Sequence, residues 1–319
     1  MAEKTAASPG AVSLTHPTSL LRHIGYVVRS MRPKQWTKNG IVGMAFLFSI
    51  NQAWQLDDPD SWIPLALRAA AAAIVFCMVS GADYLVNDTK DRIEDGMHPR
   101  KRYRPIAAGL LRPKAAIAWA VARWTLAVIA AFALDPRTGA VVVGYIVLMN
   151  LYTFWLKFEV ILDVMVIAAG FVLRAMAGAY AVDVPISPWL YVVTALGALF
   201  IAVTKRRAEI ALLQGHAAEH RSTLMQYTPA LIDQMTSMVT ASTIIAYALY
   251  TFTAENVPDN HTMMLTIPFV AYGLFRYLFL ALARNEGGSP EEVLLKDVPL
   301  LLTVVGWVLT SMAVMAAYA

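Results

Sequence analysis

The stretch Tyr84-Leu-Val-Asn-Asp-Thr-Lys-Asp-Arg-Ile-Glu-Asp95 is a polar segment set between long apolar runs. Asn87, Asp91 and Asp95 recur every four residues, a spacing that places their side chains on one face of a helix. Asp88 stands one step away from this row. Carboxylates gathered this closely repel one another unless a cation holds them. The stretch therefore predicts a binding site for a divalent cation where an apolar helix ends.

Six basic side chains lie in this stretch or directly after it, and clustered Lys and Arg bind anions. They are Lys90, Arg92, Arg100, Lys101, Arg102 and Arg104. Mg²⁺ prefers oxygen ligands and commonly keeps positions for water and phosphate. We therefore predict Mg²⁺ bound to a phosphorylated substrate, with four metal ligands: Asn87, Asp88, Asp91 and Asp95. The alternative is a solvated charged loop held by ion pairs between residues i and i+4.

Apolar residues dominate the rest of the chain. Of 319 residues, 58% are hydrophobic and only 15% are charged, which is not the composition of an ordinary soluble domain. Runs long enough to cross a bilayer recur, so we predict an all-α, polytopic membrane protein with nine transmembrane helices. The runs cover about 39–55, 62–86, 114–134, 139–156, 160–182, 188–203, 235–253, 262–283 and 297–318.

The charges between the runs predict how the chain crosses the membrane. Most Lys and Arg fall in the N-terminal segment and in the loops 87–113, 204–233 and 284–296. The positive-inside rule places these segments in the cytoplasm, so the N terminus is predicted inside and the C terminus outside. The predicted organisation is a disordered tail (1–20), one transmembrane domain (21–319), an interfacial segment (22–38) and two cytoplasmic active-site loops (87–113 and 204–233).

Two basic residues near the fifth run are candidates for binding a lipid phosphate. Arg174 lies in the middle of the run, and Lys157 lies directly before it. Ionisable groups at membrane depth are costly and usually functional, and a positive charge there can hold the phosphate of a lipid. The alternatives are that Lys157 snorkels to the interface and that Arg174 forms a structural bridge to an acid.

The spacing Asn87-Asp88-x-x-Asp91-x-x-x-Asp95 resembles the first aspartate-rich motif of the UbiA superfamily of intramembrane prenyltransferases. Within it, the chain resembles the phosphoribosyltransferases that act on polyprenyl phosphates, over about residues 25–318. The resemblance implies a UbiA-like bundle of nine helices in a bacterial inner membrane, with its active site facing the cytoplasm. It rests further on Arg32-Pro-Lys-Gln-Trp-Thr-Lys-Asn39, His98-Pro-Arg-Lys-Arg-Tyr-Arg-Pro-Ile-Ala-Ala-Gly109, Leu173-Arg-Ala-Met-Ala-Gly178 and Lys205-Arg-Arg-Ala-Glu209.

One difference from the general superfamily pattern bears on the substrate. Members that activate a prenyl diphosphate usually carry a second Asp-x-x-x-Asp motif after the sixth span, where this chain has Lys205-Arg-Arg-Ala-Glu209. A second metal–diphosphate clamp is therefore poorly supported, and a phosphate-binding wall is better supported. Whether Asp83 and Glu209 join the metal site stays open.

The resemblance implies Mg²⁺-dependent transfer of 5-phosphoribose from 5-phosphoribosyl 1-diphosphate to a polyprenyl (decaprenyl) phosphate, releasing pyrophosphate, for cell-wall arabinan precursors. The attacking lipid phosphate is already an anion, so no general base is needed. The catalytic residues would be Asp88, Asp91 and Asp95, acting through the metal. The donor is expected to contact Lys38, Tyr84, Asn87, Lys101, Arg104, Lys205 and Arg206, and the lipid phosphate Lys157 and Arg174.

Two other functions stay open at this point. A UbiA-type aromatic prenyltransferase would use a prenyl diphosphate on the same fold, and the missing second aspartate motif argues against it. A transporter would distribute its charged groups through the membrane, whereas most charge here gathers at one face. The expected partners are the two phosphorylated substrates and the lipid bilayer; no nucleic acid is expected, and a homo-oligomer stays open.

Overall fold

A computed structural model describes residues 20–98, 101–185, 187–212, 226–284, 288 and 290–318. Over these residues the chain is helical, apart from turns and one isolated bridge between Ile50 and Trp54. Residues 1–19 of the predicted disordered tail, Arg100 and the middle of the second predicted active-site loop lie outside the described residues, whereas Leu20 is the first residue of a helix.

Twelve α-helices occur in the described residues. They are α1 Leu20–Ser30, α2 Met44–Leu47, α3 Pro59–Lys90, α4 Arg92–Met97, α5 Pro113–Leu134, α6 Pro136–Phe154, α7 Leu162–Val182, α8 Pro188–Leu212, α9 Pro229–Thr253, α10 Ile267–Leu278, α11 Pro290–Lys296 and α12 Val298–Tyr318. Four 3₁₀ segments, Pro33–Gly43, Lys101–Tyr103, Leu156–Phe158 and Thr262–Thr266, and the π-helical turn Phe279–Ala283 complete the list.

Seven helices in the described part of the chain are long and apolar enough to cross a membrane. They are α3, α5, α6, α7, α9, the helix Thr262–Ala283 that contains α10, and α12. Helix α8 packs against both α7 and α9 in the same bundle. The predicted all-α, multi-pass membrane protein is therefore confirmed.

Several long helices begin where the sequence supplies a capping side chain or a proline. The Asp58 carboxylate accepts from the Asp60 N–H at 3.1 Å, and the Thr228 hydroxyl accepts from the Leu231 N–H at 3.2 Å. Asp135 caps α6 in the same way. A proline follows each of these caps, where its missing N–H costs no hydrogen bond. These local signals define where α3, α6 and α9 begin.

The first predicted span, 39–55, is not a continuous α-helix. Its first residues belong to the 3₁₀ segment Pro33–Gly43, and only Met44–Leu47 continue as α-helix. The extended 3₁₀ geometry still carries the chain far: eleven residues at about 2.0 Å and four at about 1.5 Å rise roughly 28 Å. The prediction of a continuous α-helical span was wrong here. Apolar composition alone does not distinguish an α-helix from a 3₁₀ helix, which rises further per residue.

Contacts at its two ends show that this segment runs along the bundle from one end to the other. Just before it, Arg32 contacts Asp88 at the C-terminal end of α3. Just after it, the Asn51 amide donates to the Met315 carbonyl at 3.1 Å, near the end of α12.

The 3₁₀ segment fits against α7 at a single glycine. A Cβ on Gly178 would lie 1.9 Å from the Val42 carbonyl oxygen, so no larger residue fits without moving one backbone. Around this contact Val42, Ala177 and Ala181 join one buried apolar cluster. Small residues at helix interfaces allow such close approach inside membranes.

Replacing Gly178 with Ala is expected to destabilise the protein by at least about 3 kcal/mol, since the added methyl group overlaps the Val42 backbone. Thermal unfolding of the purified protein in detergent measures the effect. Gly144→Ala in α6 is the control because nothing lies within 4 Å of its added Cβ. Equal melting temperatures for the two variants would contradict the close contact.

Candidate active site

The aspartate row lies where α3 passes into α4. Helix α3 ends at Lys90 and α4 begins at Arg92, yet the Asp91 N–H donates to the Asn87 carbonyl at 2.9 Å and the Asp95 N–H to the Asp91 carbonyl at 2.8 Å. The four-residue spacing therefore keeps its helical hydrogen bonds across the junction. This end of the bundle, which also holds Lys157, is called the charged end below.

One arginine joins two of the predicted metal ligands. Asp88 is only 1% exposed, and its Oδ1 accepts from Arg104 Nη1 at 3.2 Å. The same Nη1 donates to Asp95 Oδ2 at 2.6 Å. Arg32 also contacts Asp88 and stacks on Tyr84, with its guanidinium 4.6 Å from the ring centre. Two buried carboxylates are thus neutralised by two guanidinium groups.

The third aspartate is held from another part of the chain. Lys157 Nζ donates to Asp91 Oδ1 at 2.6 Å, and Asn87 Nδ2 donates to Asp91 Oδ2 at 3.1 Å. Lys157 is only 7% exposed, so it does not snorkel to the interface. The basic residue predicted to bind the lipid phosphate therefore lies directly against the predicted metal site.

In the part of the chain that the structure describes, no group of three or more His, Cys, Asp or Glu side chains is close enough to hold a metal ion. Each aspartate of the row pairs instead with a cation. Mg²⁺ commonly uses only one or two carboxylates and takes its other ligands from water and phosphate. Asp88, Asp91 and Asp95 fit that mode of binding, with Asn87 beside them.

Lys101 connects the two predicted active-site loops. Its Nζ lies 4.0 Å from Asp95 Oδ1. Burial lowers the pKa of the Lys101 ammonium, and Arg104 lowers it further, while Asp95, Glu209 and Asp91 raise it. Because Glu209 lies on α8, its influence indicates that the start of the second loop faces the aspartate row.

A buried network fixes that second loop to α7. Arg206 Nε donates to Asp163 Oδ2 at 2.9 Å, and Arg206 also contacts Glu209. The Tyr227 hydroxyl donates to Asp163 Oδ1 at 2.6 Å and accepts from the Ile161 N–H at 2.7 Å. Ile161 has φ +71°, a strained value for a β-branched residue, so these bonds hold the turn between Lys157 and α7 in place.

Arg174 is buried in the middle of α7 among neutral groups. Its guanidinium donates to Asn39 Oδ1 at 2.9 Å, to the Tyr145 hydroxyl at 2.6 Å and to the Gly170 carbonyl at 3.2 Å. Within the described ranges it makes no ion pair, so a structural bridge to an acid is not what holds it. Its positive charge is solvated by neutral acceptors.

An apolar cavity of about 310 Å³ opens next to Arg174. The guanidinium lies 5.1 Å from the centre of the Phe171 ring, which forms part of the cavity wall. The cavity continues away from the charged end between the 3₁₀ segment, α7, α8, α9 and α12, past Ile201, Trp189 and Trp307. A polar region and an apolar cavity thus follow one another along the bundle.

The structure brings the remaining predicted donor contacts to the same end. Lys38 lies 3.5 Å from Glu291, and Lys205 is within electrostatic range of both. Tyr84 lies under Arg32. The roles of all these residues in binding substrate stay predictions.

Sequence reasoning missed five residues that the structure places at the charged end. Arg32 and Gln35 belong to the segment Arg32–Asn39 that supports the resemblance, but no role was predicted for them or for Asp163. No signal pointed to Tyr227 or Glu291, because their partners are distant in sequence. The missed residues are Arg32, Gln35, Asp163, Tyr227 and Glu291.

The fold is a multi-pass helical membrane bundle with a cluster of paired charges at one end and an apolar cavity further along. The chain belongs to the UbiA prenyltransferase family, whose model matches residues 43–295. The predicted resemblance to this family is confirmed. The protein is accordingly an enzyme, a transferase.

Two relatives share most of their length with this chain. It is 36% identical over 301 residues to the decaprenyl-phosphate phosphoribosyltransferase of Corynebacterium glutamicum, covering 92% of this chain and 86% of the relative. It is 31% identical over 291 residues to the enzyme of the same name from Mycolicibacterium smegmatis, covering 88% of this chain and 90% of the relative.

A solved structure shares the fold. The UbiA homologue from Archaeoglobus fulgidus bound to GPP and Mg²⁺ superimposes with a TM-score of 0.71 at 18% sequence identity, covering 92% of this chain and all of that one. At this identity the likeness establishes the fold alone.

The buried ion pair between Asp163 and Arg206 is expected to stabilise the protein far more than the exposed ion pair between Asp233 and Arg207. Asp163→Asn leaves buried Arg206 without its inner partner, and breaking such a pair costs about 3–5 kcal/mol. The control is Asp233→Asn, whose half-exposed carboxylate pairs with Arg207 and is worth about 1 kcal/mol or less. Thermal unfolding in detergent compares them, and equal losses would refute the role of Asp163.

Proposed function

We propose that this enzyme transfers 5-phosphoribose from 5-phosphoribosyl 1-diphosphate to a polyprenyl phosphate such as decaprenyl phosphate and releases pyrophosphate. The observation that carries the proposal is the charged end, where a row of aspartates is surrounded by cations above an apolar cavity. The names of the two relatives support the same reaction.

The donor would bind at the charged end through cations that now neutralise the aspartates. Lys101 and Arg104 lie beside Asp95, and Lys38 and Lys205 lie near Glu291, with Tyr84, Asn87 and Arg206 as further contacts. A phosphoribosyl diphosphate carries phosphates at both ends of its sugar, so two groups of cations suit it.

The metal site would be formed by Asn87, Asp88, Asp91 and Asp95. Bound Mg²⁺ supplies Lewis-acid stabilisation of the leaving diphosphate. Support comes from the chemistry of these oxygen donors and from the UbiA homologue of the same fold that binds Mg²⁺.

The lipid would lie with its chain in the apolar cavity and its phosphate near Lys157 and Arg174. Arg174 has only neutral hydrogen-bond partners in the described part of the chain, so an anion near it would gain a favourable charge interaction. The lipid phosphate oxygen would attack C1 of the ribose as pyrophosphate leaves. The nucleophile needs no base, and Lys and Arg at the charged end would stabilise the developing negative charge.

The proposed topology has nine passages through a bacterial inner membrane. Eight are long helices, and the first is the 3₁₀ segment with α2. The charged end would face the cytoplasm, with the N terminus inside and the C terminus outside, because basic loops gather at that end. Residues 21–319 form one domain in this proposal, and the product would serve arabinan precursor synthesis in the cell wall.

A UbiA-type aromatic prenyltransferase is the second candidate. The structural neighbour bound to GPP favours it, since that ligand is a prenyl diphosphate. Against it stands the segment Lys205–Glu209, which replaces the second aspartate motif with basic residues.

Incubation of the purified protein with phosphoribosyl diphosphate, Mg²⁺ and polyprenyl phosphates of several lengths should yield a phosphoribosylated lipid, detected by mass spectrometry. A chelator of divalent cations should stop turnover, and added Mg²⁺ should restore it. A parallel reaction with a prenyl diphosphate and an aromatic acceptor tests the second candidate. Product from that reaction alone would overturn the proposal.

Asp91→Ala should abolish turnover, by more than about 100-fold, because it removes a predicted metal ligand and the partner of Lys157. The protein should stay folded but lose some stability, since Asp91 is partly exposed whereas its partner Lys157 is buried. Asp183→Ala is the control: its carboxylate is 71% exposed at the opposite end of the bundle. An Asp91→Ala enzyme as active as this control would contradict the assignment of Asp91 as a metal ligand.

A further inference from the structure

Glu291 is a buried acid that has no role in the proposed reaction. It lies on α11, in the connection between the last two spans, and its side chain is only 8% exposed. Val293, two residues further along, packs into an apolar cluster with Phe200 and Tyr277, and this packing fixes the position of α11. Helix α11 also packs against the 3₁₀ segment.

The two carboxylate oxygens of Glu291 have different surroundings. Oε1 accepts from the Gln35 amide, and this bond already ties α11 to the 3₁₀ segment. Oε2 is buried and has no hydrogen-bond partner among the residues that the structure describes. It lies 3.5 Å from Lys38 Nζ, an attraction without hydrogen-bond geometry. A buried acceptor left in this state is costly, and a structural role does not require it.

The Glu291 carboxylate lies among side chains that are proposed to contact the donor, and its Oε2 is 3.5 Å from Lys38 Nζ. Lys38, Tyr84 and Lys205, all proposed contacts of the donor, lie within electrostatic range of its carboxylate. A carboxylate placed there repels phosphate groups, so it does not serve the charged parts of the donor. It suits a neutral group that donates a hydrogen bond.

A sugar hydroxyl matches this pair of side chains. A hydroxyl donates one hydrogen bond and accepts others, so it can donate to Glu291 Oε2 while it accepts from the Lys38 ammonium. The ribose of a phosphoribosyl diphosphate carries two ring hydroxyls between its phosphates. A prenyl diphosphate carries none and would leave Oε2 unsatisfied.

We propose that Glu291, together with Lys38 and Gln35, forms a binding site for a ribose hydroxyl and selects a phosphoribosyl donor over a prenyl diphosphate. The inference rests on the proposed function and extends it by naming the group that recognises the sugar. A site built to bind a hydroxyl discriminates strongly against an analogue that lacks it, because its own buried group then stays unpaired.

The test compares kcat/KM for phosphoribosyl diphosphate with kcat/KM for analogues that lack the 2-hydroxyl or the 3-hydroxyl, using the full-length protein in detergent. The wild type should prefer the natural donor over one of these analogues by about 10- to 100-fold. Glu291→Gln should reduce that preference to within about threefold. The control is Glu292→Gln, whose half-exposed carboxylate pairs with Lys296 and which should keep the wild-type preference.

A second variant distinguishes loss of the hydroxyl site from loss of folding. Glu291→Asp keeps the negative charge beside Lys38 but withdraws the oxygens from the sugar, so it should lose the preference while its melting temperature stays near that of the wild type. An unchanged preference in both folded variants would overturn the hydroxyl site and leave the proposed function standing. A wild type without phosphoribosyl transfer would reject the proposed function and this inference with it.

Discussion

Neutralisation of buried carboxylates by cations from distant parts of the chain is the constraint on which the charged end depends. Asp88 and Asp163 are buried and would each be too costly to ionise without a partner, and the partly exposed Asp91 pairs with the buried Lys157. Their partners come from the segment before the first passage, from the turn before α7 and from α8. Charge pairing thus brings three parts of the bundle together around one pocket, and the same cations are those that a phosphorylated substrate requires.

The apolar part of the bundle is organised by close backbone packing rather than by charge. The 3₁₀ segment can lie against α7 because Gly178 has no side chain. This contact places Asn39 next to Arg174, where its amide oxygen accepts from the buried guanidinium at 2.9 Å. Packing at one glycine therefore sets the position of a charged group near the apolar cavity, and links the fold to the proposed lipid site.

Local patterns in the sequence predicted the spans, the family and the aspartate row, because each depends on neighbouring residues. Asn87, Asp91 and Asp95 kept their spacing since helical hydrogen bonds continue through the junction of α3 and α4. The contact between Lys157 and Asp91 could not be predicted, since it depends on how α6 and α7 pack against α3 across 66 residues. The 3₁₀ geometry of the first run was missed for a related reason: it is decided by a contact with α7, not by the composition of the run.

The segment Lys205–Glu209 is where this chain differs from superfamily members that use prenyl diphosphates, while the aspartate row Asn87–Asp95 is kept. At Lys205–Glu209 the chain has one lysine, two arginines and a single acid where superfamily members that use prenyl diphosphates carry two acids. Arg206 pairs with Asp163 and Glu209, which holds α8 in place, whereas Lys205 lies within electrostatic range of Glu209, Lys38 and Glu291. An acid, an amide and two ammonium groups then face the space beside the aspartate row. That mixture of donors and acceptors suits a sugar between two phosphates better than an apolar chain, because every polar group in it can find a partner on the donor.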